Sequence, residues 1–357
     1  MGVPSSPPSR RRPLLAVALG LAAALLAAEL VVRLAPERFG LPPSWNSVQA
    51  GAPDFEARPH LLYTHRPADP AVNERGFLGA EWPGEKGAGV LRVLCLGAST
   101  TEVGNDGGPE ASYPFFLERG LNPYFEGSGE SVEVVNLGLA GWTTAETLVH
   151  WFLAAKDLEP DLVLIHHAAN DVAPRMWPGF RSDYAHYRRP WSLERGDRGL
   201  FSGSALVAAI AGAPPTPTLD DAVVRPKRSE VAELAPAGRA AFRRNVESIA
   251  RDATAQGARV ALVTLPIASR AQFGSADLEP WRMGIAEHND ELRSLCAQEG
   301  YLLIDLAAEA EAGHELLDGA FIDLVHVDAD GNLWKALAIG AALAQGWEPF
   351  ARVAQTH

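Results

Sequence analysis

Cysteine is nearly absent from this chain: 357 residues hold two, Cys95 and Cys296. Two thiols build neither a disulfide framework nor a four-cysteine metal site, so both are expected to be ordinary core residues. Basic charge is scarce as well. Lys and Arg number 31 against 44 Asp and Glu, for a formal net charge of −13. No basic surface dominates, and nucleic acid is excluded as the expected partner. No Gly-rich phosphate loop is visible, because "GNDGG" at 104–108 lacks the lysine and helix context such a loop requires. There is no internal repeat.

One long apolar run is present. Residues 1–12 are polar and end in Arg10-Arg11-Arg12, and "PLLAVALGLAAALLAAELVVRL" follows at 13–34. Its uninterrupted part, Leu14 to Ala28, is about 15 residues, and continuing past Glu29 to Val32 brings it to about 19. At 1.5 Å per residue that is roughly 28 Å, close to a hydrocarbon core. Glu29 and Arg33, one turn apart, can pair at the outer interface. The expectation is a single-pass signal anchor at 13–34, with 1–12 cytoplasmic and the rest periplasmic or extracellular. A cleaved signal peptide and a buried helix of a soluble domain are the alternatives. "ALVAAIAGA" at 205–213 is too short to cross a membrane.

Residues 35–89 read as a Pro-, Gly- and charge-rich approach segment, with a short strand in "HLLYTHRP" and turns in "NERGFLGAEWPG". A main domain follows over 90–350. Strands are predicted at 89–97, 131–141, 160–171, 258–266 and 301–307. Helices are predicted in "SYPFFLERGL" and at 143–158, 239–257, 285–300 and about 330–344. Strands alternating with helices imply a mainly parallel sheet covered on both faces. Ligands bind such sheets at the carboxyl ends of the strands. The interval 172–238 is long for a βα connection and reads as an insertion over those ends.

Four predicted strand ends carry polar groups: Ser99 in "VLCLGASTTE", Gly141 in "NLGLAGWTT", Asn170 in "HHAAND", and Asp323 three residues before His326 in "FIDLVHVDADGN". Each has a plain structural explanation. Ser99 fits a helix N-cap, with Glu102 completing a capping box. Gly141 fits a turn, Asn170 and Asp171 fit a cap, and His326 fits a satisfied interior histidine. Together they meet the needs of acyl transfer. Ser99 needs a base, which His326 supplies, and Asp323 orients and compensates the imidazole. The backbone N–H groups of Ser99 and Gly141 and the side-chain amide of Asn170 suit a developing oxyanion. A helix starting at Ser99 would add positive potential there.

This set resembles the SGNH (GDSL-type) hydrolase family, whose Ser, Gly, Asn and His hallmarks occur in this chain order, one per motif block. Over residues 90–345 they map to Ser99, Gly141, Asn170 and His326, with Asp323 as the aspartate three before the histidine. The resemblance implies a three-layer α/β/α sandwich, flavodoxin-like, with about five parallel strands, matching the strand count above. Two positions depart from the family pattern. Gly97-Ala98-Ser99 stands where Gly-Asp-Ser is common, and Ala168-Ala169-Asn170-Asp171 where Gly-Gly-Asn-Asp is common. Ala98 removes a carboxylate beside the serine.

No cofactor or metal is expected. In a strand His166 and His167 point to opposite faces, and "DADG" does not complete a calcium loop; Asp328 or Asp330 reads as the cap of the last helix. The expected activity is hydrolysis of O-acyl esters through an acyl-Ser99 intermediate, on a small-molecule, lipid or glycan ester. An O-acetyltransferase acting on an envelope glycan and a catalytically silent binding protein are the alternatives. The oligomeric state stays open.

Overall fold

The computed structural model describes residues 11–39, 55–58, 60–65, 67, 71–81, 85–102, 108–188, 204–211, 233–317 and 319–355. Most of the predicted cytoplasmic end, residues 40–54 of the approach segment, most of "GNDGG", and 189–203 and 212–232 of the predicted insertion lie outside that set. The chain divides into two compact units.

The smaller unit contains α1 (Arg11–Leu34) and α6 (Ala205–Ala211). Among its described residues Val32 and Ala205 form a small buried apolar cluster. Glu29 accepts hydrogen bonds from Ser204 Oγ at 2.7 Å and from the backbone N–H groups of Ala205 and Leu206, both at 2.9 Å, and pairs with Arg33. Burial raises the Glu29 carboxyl, but the donors from Leu206, Ser204, Ala205 and Arg33 outweigh it and hold it down at about 2. Among the described residues no helix is long and apolar enough to cross a membrane. The described residues therefore do not support the signal anchor expected at 13–34.

The larger unit holds a parallel sheet of β3 (Val90–Gly97), β4 (Ser131–Gly138), β5 (Leu162–His166), β6 (Arg259–Val263) and β7 (Leu302–Ile304), in the order β4-β3-β5-β6-β7. Alternation along β3 sorts its side chains. Leu94 and Leu96 face α4 (Thr144–Leu153), α7 (Ala237–Ala255) and α8 (Glu279–Glu299), in a core with Trp151, Phe242 and Leu292. Val93 and Cys95 face α3 (Tyr113–Leu121), α10 (Ala329–Gly346) and α11 (Glu348–Ala354), in a core with Tyr113, Trp334 and Phe350. This is the expected three-layer α/β/α sandwich of five parallel strands. Both cysteines are free and buried, as expected.

The chain leaves β3 for β4 on one side and returns to β5 on the other. The order therefore reverses at β3, and a crevice opens at the carboxyl ends there. Ser99, Gly141 and Asn170 follow these three adjacent strands. The strands end earlier than predicted: β4 stops at Gly138, not 141, and β5 at His166, not 171. Beyond Gly138 the chain turns, with Trp142 N donating to Leu139 O at 3.1 Å and Gly141 at φ +74°. α8 begins six residues before its predicted start of 285. Gly284 allows this, since a Cβ there would meet Val172 Cγ1 at 2.6 Å.

A hairpin of β1 (Phe55–Arg58) and β2 (Leu61–His65) precedes the sheet in the larger unit. After it, Asn73 Oδ1 accepts from Arg75 and Phe77 N–H, and Phe77 is buried against Trp142 and His150. The "HLLYTHRP" strand is thus present, and it has a partner.

Candidate active site

Gly97 makes the turn out of β3 possible. A Cβ there would lie 1.9 Å from Thr101 Oγ1 and 3.0 Å from His166 O, so only glycine lets α2 (Ser99–Glu102) fold back over the strand ends. The turn closes through Thr101 and Glu102 N–H to Ala98 O, both at 2.9 Å. α2 starts at Ser99, as expected, which puts its first N–H groups beside the serine. The capping-box expectation is corrected. Ser99 Oγ lies 2.7 Å from His326 Nε2, and Glu102 Oε1 accepts from His65 Nε2 and from Ala140 N–H.

Asp323 and His326 sit on the turn that leads into α10. A bridge between Phe321 and Val327 and a bond from Ile322 N to His326 O at 3.0 Å shape it. Asp323 fills the turn's centre. Its Oδ1 accepts from Val325 N at 2.8 Å and His326 N at 2.7 Å, and its Oδ2 lies 2.6 Å from His326 Nδ1. Since a carboxylate only accepts, Nδ1 carries the proton and Nε2 faces the serine hydroxyl as acceptor. Burial raises the Asp323 carboxyl, but the His326 ring and the N–H groups of His326 and Val325 outweigh it and bring it down to about 2. Asp328 caps α10 through Gly331 N at 3.0 Å, as expected.

The turn carrying Gly141 is held from four directions. Ala140 N–H donates to Glu102 Oε1 at 3.1 Å, and Ala140 O accepts from Tyr63 OH at 2.7 Å. Gly141 O accepts from Arg188 Nη2 at 3.0 Å, and Trp142 O accepts from Asn170 Nδ2 at 2.8 Å. Among the described residues nothing accepts from Gly141 N–H. Asn170 thus spends one N–H on this turn and keeps a second. Arg188, from the predicted insertion, is nearly buried and also pairs with Glu146 at 2.7 Å.

Asp171 does not cap α5 (Val172–Arg175). It is fully buried and accepts from Thr144 N and Oγ1 and from Tyr184 OH at 2.8 Å, tying β5 to α4. Burial raises its carboxyl to about 6 against those donors. His166 and His167 diverge as expected, toward Val263 O at 3.3 Å and Thr147 Oγ1 at 2.9 Å, and burial lowers both rings, to about 3 and about 4. Beneath the serine turn, Lys335 of α10 is fully buried, with Nζ 3.3 Å from Thr100 O; burial lowers its amine to about 7. Ser99 and Asn170 share a cleft with Ala168, Ala169, Leu265 and Val325, a cavity of ≈ 10 Å³.

The roles of Tyr63, His65, Glu102, Arg188 and Lys335 escape a reading by motif. Their only sequence signal is a polar residue inside an otherwise apolar or turn-like stretch.

No curated protein matches the chain. Among solved structures it is similar to a lipase/acylhydrolase from Enterococcus faecalis, at 18% identity and TM-score 0.44, covering 71% of this chain and 95% of that one. It is also similar to a catalytic mutant of an acetylxylan esterase from Geobacillus stearothermophilus, at 15% identity and TM-score 0.44, covering 71% and 94%. The model of the GDSL-like lipase/acylhydrolase family matches residues 95–334, about two thirds of the chain. That span contains the turn after β3, the turn after β4, the end of β5 and the Asp323–His326 turn: the chain belongs to the GDSL-like lipase/acylhydrolase family and is an ester-hydrolysing enzyme.

Proposed function

We propose that Ser99 is the nucleophile of this enzyme and that catalysis runs through an acyl-Ser99 intermediate. His326 Nε2 takes the serine proton as Oγ attacks the ester carbonyl. It returns the proton to the leaving alcohol, then activates the water that frees the acid. Asp323 keeps Nδ1 protonated and offsets the imidazolium charge. The N–H groups of Ser99 and Gly141 and the second N–H of Asn170 receive the oxyanion. The observation that carries this reading is the continuous chain from Ser99 Oγ to His326, 2.7 Å, and from His326 to Asp323, 2.6 Å.

Ala168, Ala169, Leu265 and Val325 line the cleft beside Ser99 and Asn170, apolar side chains against which an acetyl methyl can pack. Hydrolysis of acetyl esters is the proposed reaction. Ser99→Ala should abolish turnover of para-nitrophenyl acetate and labelling by a fluorophosphonate while the circular dichroism spectrum is unchanged. Residual turnover at the parent rate would remove the reading. The parent enzyme should prefer the acetate over the octanoate by about 100-fold or more in kcat/KM, the scale of several apolar groups left without a pocket.

We further propose that the enzyme acts outside the cytoplasm. The support is Arg10-Arg11-Arg12 ahead of the apolar stretch, the arrangement of an export signal. An alkaline phosphatase fusion downstream of that stretch should be active; an inactive fusion would sink the placement.

A further inference from the structure

We infer that the hairpin β1–β2, which lies outside the span shared with the family, is a working part of the active site: His65 and Tyr63 position the Gly141 peptide. The inference rests on the reading above that Gly141 N–H receives the oxyanion.

The peptide unit joining Ala140 to Gly141 consists of Ala140 C=O and Gly141 N–H. Its plane therefore fixes where that N–H points. Tyr63 OH donates to this carbonyl at 2.7 Å. The peptide before it is held through Ala140 N–H, which donates to Glu102 Oε1 at 3.1 Å. Both peptides flanking Ala140 are thus gripped, one directly from the hairpin and one through Glu102. That carboxylate is 5% exposed and cannot choose its own position freely, because His65 Nε2–H donates to the same oxygen. His65 is itself set by stacking on Phe55 at 4.6 Å and by its N–H to Gly76 O at 3.0 Å. Trp142 Nε1 donates to Tyr63 O at 3.2 Å, so the hairpin grips the turn on both sides of Gly141.

Glu102 also lies in the helical turn that begins at Ser99. One carboxylate therefore couples the serine turn, the Gly141 turn and the hairpin. A donor aimed by its neighbours costs no reorganisation when charge develops, and a displacement of about 1 Å costs up to about 100-fold in rate. None of Tyr63, His65 and Glu102 is proposed to touch substrate. They are positioning residues, and their effect falls on kcat.

The test uses the full chain, with steady-state kinetics on para-nitrophenyl acetate and thermal midpoints for every variant. Tyr63→Phe removes one hydrogen bond and little volume; kcat should fall about 10-fold with KM within twofold. His65→Ala and Glu102→Ala should lower kcat by about 30-fold or more, again with KM held. Glu102→Gln keeps an oxygen that accepts from both Ala140 N–H and His65, and should stay within about fivefold of the parent. Unchanged kcat in Tyr63→Phe and His65→Ala would overturn the inference. So would a Glu102→Gln loss as large as that of Glu102→Ala, or losses that follow the thermal midpoint rather than the kcat split. Ser99→Ala assayed alongside separates the two readings: a dead Ser99→Ala beside an unaffected His65→Ala removes the hairpin's role and leaves the nucleophile in place.

Discussion

Ser99 Oγ and His326 Nε2 lie 2.7 Å apart although 227 residues of chain separate them. Nothing local brings them together. The serine depends on β3 and the turn at Gly97. The histidine depends on Asp323, which pins the turn before α10 by two backbone bonds and aims the ring with a third.

Asp323→Asn separates those two duties. The amide oxygen can still accept from Val325 and His326 N–H, so the turn survives. Its NH₂ cannot accept from Nδ1–H, and the imidazole is left in the wrong tautomer. The expected result is a fall in kcat of about 100-fold or more in an enzyme still folded at the assay temperature, with a thermal midpoint lowered by the loss of the charged partner. A change below threefold would show that Asp323 has no part in turnover.

Asp323 sets a limit on the pH–rate profile. Held at about 2, it is ionised throughout the range in which the fold is assayed. Between about pH 4 and pH 9, kcat/KM should therefore show no inflection that belongs to this carboxylate. An inflection in that range that the parent shows and Asp323→Asn loses would overturn this. The carboxylate's contribution to stability is present above its unfolded value of about 3.9 and is lost as pH falls through about 2.

Lys335 gives a stability test. Its buried amine is lowered to about 7 against about 10.4 in the unfolded chain. Between those values the unfolded chain binds more protons, so stability rises with pH across the window. Below about pH 7 the cost of burying the ammonium is fully present, on the order of 5 kcal/mol at most. Lys335→Met should therefore be more stable than the parent in urea at about pH 6, with the advantage shrinking toward about pH 10. Destabilisation at the lower pH would mean that the bond to Thr100 O outweighs the buried charge.

Gly138→Ala tests the close approach of β4 to the serine turn. The added Cβ would lie 2.4 Å from Glu102 N and 2.8 Å from Glu102 Cα, and backbone cannot step aside as a side chain does. A loss of about 1–3 kcal/mol is expected, read from denaturant midpoints. It should come with a fall in kcat, because Glu102 is displaced. Full activity in a destabilised Gly138→Ala would show that the serine turn tolerates the shift.

Much of this architecture is legible in the chain. The near-continuous apolar run through Val93, Leu94, Cys95 and Leu96 can only be a strand buried on both faces. Gly97 and Ser99 after it mark a turn with a hydroxyl. The end of β4 is not legible, because "NLGLAG" stays apolar past the last ladder bond. What bends the chain there is a backbone bond from Trp142 to Leu139. Glu102 reads locally as half of a capping box, yet its partners are His65 and Ala140, 37 and 38 residues away. Nor does hydropathy reveal that Glu29, at the end of the apolar stretch, is held by Ser204, Ala205 and Leu206.

The family's span starts at Cys95, inside β3, and stops at Trp334, inside α10 and one residue short of Lys335. An expression library cut to that span would discard the hairpin, more than half of β3, the lysine under the serine turn and all of α11. Its product would score as inert in an activity screen. The silence would come from the scissors, since every residue of the shared motif would still be in place.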